Sequence, residues 1–202
     1  MTPRTFNSFG FTPSYACEPD PELPGTGEWG CPAYGFHRDG MAEGPFRSRW
    51  GTPLISRFTL ASGQAWVGSF EAGGMGGIDG IYACPDPSAA LIVCDGQAYY
   101  TPVTAPDRCA VVSLSPITQV LPAGEAVILL GSFSDLAAIS RHGPAWTSER
   151  VCLDDLHITA ADADSIDCTG GFLDSTQRFT LDTSTGQIKA GPRFLDTWPA
   201  PH

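Results

Sequence analysis

The chain has 202 residues, 42% hydrophobic and 16% charged, and its 22 acidic and 11 basic side chains leave a net charge of −11. This length supports one substantial core and this composition excludes a disordered chain, while the lack of any apolar run near ~18 residues excludes a membrane-spanning helix. The acidity is spread, with 10 acidic and 5 basic residues (−5) over positions 1–100 and 12 and 6 (−6) over 101–202; it disfavours nucleic acid and attracts a basic protein partner, though it also serves solubility alone.

Residues 1–50 carry many breakers, including Pro19-Asp20-Pro21-Glu22-Leu23-Pro24-Gly25, and no sustained periodicity. They are expected to form an irregular arm. Its aromatics, among them Phe6, Tyr15, Trp29, Phe36, Phe46 and Trp50, are too numerous for a solvated tail, so the arm should pack its rings on the core. A β domain follows over 51–202, open to division into two related β units at 54–114 and 118–190. Strands are expected at 54–60, 64–70, 78–84, 90–94, 97–101, 109–114, 120–121, 126–133, 150–153, 156–160, 165–169, 177–182 and 187–190. Asp95-Gly96, between Leu91-Ile92-Val93-Cys94 and Gln97-Ala98-Tyr99-Tyr100, is a strong hairpin signal, and Thr185-Gly186 offers another reversal. Helix is confined to a turn or two at 134–139, with Ser134 as its cap. Gly68-Ser69-Phe70 and Gly131-Ser132-Phe133 form a weak internal echo 63 positions apart. The expected fold class is mostly β: a single-domain sandwich or partly open barrel of antiparallel hairpins.

Few residues suggest chemistry. No Cys-x-x-Cys or His-x-x-x-His pair occurs, and Asp162-Ala163-Asp164-Ser165-Ile166-Asp167 lacks the Gly and terminal Glu of an EF-hand loop, so neither metal nor cofactor is expected. Gly73-Gly74-Met75-Gly76-Gly77 is followed by no Lys-Ser or Lys-Thr, which excludes a P-loop and leaves a mobile loop at a binding edge. There is no Gly-x-Ser-x-Gly elbow. His157 is expected on a strand surface and His142 in an exposed turn beside Arg141, and Asp154 and Asp155 should point to opposite faces of a strand. Seven cysteines leave at least one unpaired in a monomer. The N-terminus lacks the apolar core of a secretory signal, which places the chain in the cytoplasm with reduced thiols, although Cys84 with Cys94, or Cys17 with Cys31, could pair after export.

The segment Gly143-Pro144-Ala145-Trp146-Thr147-Ser148-Glu149-Arg150, followed by Asp154-Asp155-Leu156-His157-Ile158 and Phe179-Thr180-Leu181-Asp182 with Thr185-Gly186, resembles a recurrent pattern of uncharacterised β-rich bacterial proteins of about this length. The resemblance covers about a third of the chain. It implies an intracellular β protein and transfers no catalytic residue.

The function expected on these grounds is that of a non-catalytic, acidic bacterial interaction protein, of the toxin-neutralising (immunity) type or an accessory subunit. The alternative is a small-molecule enzyme with its pocket inside a β barrel or sandwich. A homo-oligomer is compatible with either. The expected contact surface joins Gly74, Met75 and Asp79 to Arg141, His142, Asp154 and Asp155, on the premise that the two Gly-Ser-Phe units open on one end.

Overall fold

Short β-branched and aromatic runs between Gly, Pro and Asp turns leave little from which to build a helix. The described residues form eighteen strands and one 3-10 turn at Pro106–Arg108. The computed structural model describes residues 4–43, 49 and 51–194, and the chain divides into two compact units, Met1–Pro116 and Ile117–His202. The sheets are rich in antiparallel pairs and none closes into a barrel, so the fold is mostly β and sandwich-like.

The first unit contains β1 (Phe6–Asn7), β2 (Tyr15–Pro19), β3 (Ala33–His37), β4 (Gly40–Glu43), β5 (Leu54–Leu60), β6 (Ala65–Phe70), β7 (Gly80–Ala83), β8 (Ala89–Cys94), β9 (Gln97–Pro102) and β10 (Ala110–Val111). Its sheets have the orders β1-β7-β8-β9-β10 and β2-β5-β6-β3-β4. Both contribute to one core, in which the Phe36 ring stacks on Phe70 at 4.7 Å and Phe58 on Trp66 at 4.5 Å between centroids. The polar ends of buried rings are satisfied: Trp66 Nε1 donates to the Val103 carbonyl at 2.8 Å, and the Tyr15 hydroxyl to that of Ala89 at 3.0 Å.

The arm expected to be irregular supplies four of these strands, with longer non-strand stretches at 8–14 and 20–32. Two join in parallel, β1 on β7 and β3 on β6. Backbone N–H and C=O groups at a sheet edge need partners, and these short segments provide them. No periodicity within the arm itself could announce that pairing. Tyr15 and Phe36 are buried; Phe46 and Trp50 lie outside the described residues.

The second unit consists of two four-stranded meanders. One runs β11 (Gln119–Ala123), β12 (Val127–Gly131), β13 (Leu136–Ser140) and β14 (Gly143–Thr147), and the other β15 (Asp154–Ala161), β16 (Ser165–Phe172), β17 (Ser175–Asp182) and β18 (Ile188–Ala190). Leu129, Leu136, Leu156, Ile166, Phe179 and Leu181 fill the core they share. Two expectations are corrected here. The helical turn expected at 134–139 is a bend at Ser134 leading into strand from Leu136, because β13 has a pairing partner on each side and the Ser134 carbonyl accepts from Val151 N at 2.9 Å. Residues 150–153 are a connector between the sheets, anchored also by Leu153 N to the Gly171 carbonyl at 2.8 Å. β14 is a further unanticipated strand; its Pro144 is tolerated at a sheet edge, where a missing N–H breaks no inner ladder. The Gly-Ser-Phe echo has no common setting either: Phe70 is buried in β6, whereas Phe133 is 50% exposed in the turn after β12.

Candidate functional site

The glycine-rich loop of the first unit is held where mobility was expected. Asp95, at φ +45° in the two-residue turn joining β8 to β9, accepts from Gly74 N at 2.8 Å through Oδ2 and from Gly77 N at 3.3 Å through Oδ1. Gly73 N donates to the Cys94 carbonyl at 2.9 Å, and Gly96 N to that of Ile78 at 3.0 Å. Asp79 accepts the Asp95 amide at 2.6 Å on one oxygen and the Arg4 guanidinium at 3.0 Å on the other. Arg38 donates to the Gly73 carbonyl. A side chain at Gly73 would collide with the Asp95 backbone oxygen, so close approach of two backbones explains that glycine. The Asp79 carboxylate is thus committed to structure. Met75, 62% exposed, is left as the projecting group of this loop.

Beneath the loop lies a pair that the sequence reading missed. Glu71 is buried; its carbonyl accepts the Tyr99 hydroxyl at 3.0 Å, and its Oε2 accepts Arg38 N at 3.3 Å and stands 4.0 Å from His37 Nδ1. Oε1 has no hydrogen-bond partner among the described residues. His37 ends β3 and Glu71 follows β6, so the parallel register that pairs Phe36 with Phe70 brings them together. Only knowledge of that register could have revealed them.

In the second unit, Arg141 and His142 are exposed in the turn between β13 and β14, where His142 N donates to Ser140 Oγ at 3.1 Å. Asp154 and Asp155 are exposed at the start of β15. Asp155 has φ +52° in a register irregularity and approaches His157 Nε2 at 3.5 Å, so the simple alternation expected of Asp154 and Asp155 is broken by a bulge. The two clusters are not one site. Leu156 N donates to the Phe133 carbonyl at 3.0 Å, which sets the aspartates beside the turn preceding β13. Arg141 and His142 follow the far end of that strand, roughly 15 Å away at ~3.4 Å per residue.

What does gather around Asp154 is an apolar and acidic end. Phe133 (50% exposed) lies in the β12–β13 turn and Leu173 (60% exposed) in the β16–β17 turn. The connector and the start of β15 tie the two turns together, through Leu156 N to Phe133 and Leu153 N to Gly171. Asp135 and Asp174 occupy the same two turns, and Asp154 and Asp155 the start of β15. Asp154 pairs with Gly171, where any side chain would collide with the Asp154 carboxylate.

Nucleophiles are scarce. All seven cysteines are free, and burial pushes the thiols of Cys17, Cys94, Cys152 and Cys168 up to about 12 and that of Cys109 up to about 11, away from the thiolate. Cys84 and Cys94 sit at opposite ends of the β7–β8 pair, which rules out the cross-strand bridge. Among the described residues no three His, Cys, Asp or Glu side chains are grouped to hold a metal, and no helix is long and apolar enough to cross a membrane. Two open clefts lie on the second unit among the described residues. One of about 500 Å³ lies over Thr159, Asp167, Thr169, Arg178 and Thr180; the other, about 410 Å³, has Arg150 and Arg193 on its walls.

No family model and no curated protein matches the chain. Among solved structures it is similar to BamB from Moraxella catarrhalis, with 19% identity and a TM-score of 0.38 over 78% of this chain and 47% of that one. The chain therefore spans about half the length of that neighbour.

Proposed function

We infer that the chain is a non-catalytic interaction protein whose partner is a basic protein, and that the contact is made by the end of the second unit bearing Phe133, Leu173, Asp135, Asp154, Asp155 and Asp174. The observation that carries this reading is the exposure of two large apolar side chains in turns beside the acidic start of β15, with Asp154 and Asp155. Apolar anchors in a charged rim are the usual anatomy of a contact whose energy sits in a few residues. The acidic rim and the net charge of −11 would steer a basic partner toward the anchors. Immunity-type neutralisation or an accessory-subunit role in the bacterial cytoplasm are the biological forms that suit such a contact. The enzyme alternative would need an acid–base pair or a nucleophile facing a cleft; among the described residues, the linings of these two clefts include one carboxylate each and no histidine.

The test is affinity capture from the native host with the wild-type chain beside F133S/L173S and D154N/D155N variants, at low and moderate salt. A basic protein should be retained by the wild type, lost with F133S/L173S, and weakened by salt and by D154N/D155N. Equal retention by all three chains, or an acidic partner, would overturn the reading.

A further inference from the structure

We propose that the cleft bearing Arg150 and Arg193 in the second unit binds a small anionic ligand, a phosphate monoester or carboxylate attached to an apolar body. This surface adjoins the connector, in which Arg150 and Val151 lie, but its charge is opposite to that of the acidic end assigned above to a protein partner. Residues 117–202 contain five basic side chains, Arg141, Arg150, Arg178, Lys189 and Arg193, against eleven acidic ones. Two of the five line this one cleft, with Glu149 as the single carboxylate among its described lining residues. In so acidic a unit, that local reversal of sign is the feature to explain.

The two sides of the cleft are built differently from a pair of solvated arginines. Arg150 donates through Nε to the Cys152 carbonyl at 3.2 Å and through one terminal nitrogen to that of Leu153 at 2.6 Å. Its guanidinium also lies over the Phe194 ring at 5.2 Å. A guanidinium has five N–H donors, so among the described residues these two bonds leave three in a fixed plane, which is the geometry that grips a carboxylate or phosphate with little further loss of rotamer freedom. The opposite wall is the turn after β17. There Asp182 Oδ1 accepts from Ser184 N at 2.9 Å and from Thr185 N at 3.1 Å, and Trp146 Nε1 donates to the Thr183 carbonyl at 3.0 Å. Gly186, at φ +70°, leaves no room for a Cβ, which would stand 2.5 Å from the Trp146 ring. The wall is therefore held in place before any ligand arrives.

Ser148, Thr185 and Gln187 add polar groups to the lining, and Val151, Ile188 and Phe194 an apolar wall. A volume of about 410 Å³ suits a small metabolite more than a free inorganic ion. The combination selects an amphipathic anion: the charged group at the arginines, the apolar body against Phe194 and Ile188.

Phenyl phosphate and phenylacetate serve as probes of the two anion types and benzyl alcohol as the neutral control, followed by amide chemical shifts of the full chain. Either anion should move the amides of Ser148 to Val151 and Thr185 to Ile188 at probe concentrations up to about 10 mM, whereas benzyl alcohol should not. Whichever anion binds more tightly identifies the charged group. R193Q, whose side chain is exposed, should weaken that binding roughly tenfold at unchanged thermal midpoint, R193K should restore part of it, and R178Q, outside the cleft, should leave it intact. No shift with either anion, equal shifts with benzyl alcohol, or wild-type binding by R193Q would overturn the proposal. Loss of protein capture by F133S/L173S with phenyl phosphate binding retained would show that the two surfaces are independent.

Discussion

Two pairs of carboxylates, Asp79 and Asp95 in the first unit and Asp162 and Asp182 in the second, are used in contrasting ways. In the first, Asp79 and Asp95 bridge segments far apart in the chain: Asp79 reaches Arg4 across 75 positions, and Asp95 reaches Gly74 and Gly77 across 21 and 18. In the second, Asp162 and Asp182 bind backbone amides two or three residues ahead of themselves. Long-range carboxylates hold a tertiary arrangement and are removed from the inventory available for binding. Short-range ones shape a turn and leave other acids, such as Asp154 and Asp174, at the surface. A polar residue in a loop therefore signals function only once its own hydrogen bonds have been accounted for.

The most disruptive test of that contrast is in the aromatic core of the first unit. Phe58→Ala removes a fully buried ring stacked on Trp66 and should cost about 3–5 kcal/mol in urea unfolding. A loss no larger than that of a surface variant would mean that the unit is not built around these rings. Gly73→Ala should cost about 1–3 kcal/mol, because the new methyl group meets backbone that cannot rotate away; an unchanged midpoint would show that the loop is not docked on the Asp95 turn. Asp95→Ala should cost about 1–2 kcal/mol and accelerate amide exchange at Gly74 and Gly77 in particular.

Acid titration then tests the locally bonded carboxylates of the second unit. The Ser184 hydroxyl, followed by Lys189, holds the Asp182 carboxyl well below the usual range, and the amides of Asp164 and Ser165 do the same for Asp162. A depressed folded-state value stabilises the fold above the ordinary carboxyl range, and the contribution fades as pH falls below about 4 toward the folded values. The urea midpoint should decline over that interval, with a shallower decline in Asp182→Asn. An identical profile for that variant would remove Asp182 as a cause. Smallest of all, Phe133→Ser and Asp154→Asn should each change stability by no more than about 0.5 kcal/mol. Substantial unfolding by either would mean that this end serves the core rather than a partner.

The amino-acid sequence by itself determined the β class, the positions of most strands from 54 onward, and the tight reversals at Asp95-Gly96 and Gly186, both found at positive φ. It also determined the acidity. These properties are local or additive: alternation, turn chemistry and charge are carried by residues within a few positions of one another. Tertiary structure alone decided the rest. It placed β1 and β3 beside strands dozens of residues later, spent Asp79 on Arg4, paired His37 with Glu71, and set Arg141 and His142 at the opposite end of β13 from Asp154 and Asp155. It also brought Arg150 and Arg193, 43 positions apart, to one cleft. Strand register and sheet stacking fix such pairings, and they depend on which distant edges and apolar faces satisfy one another, which no local window of the chain encodes.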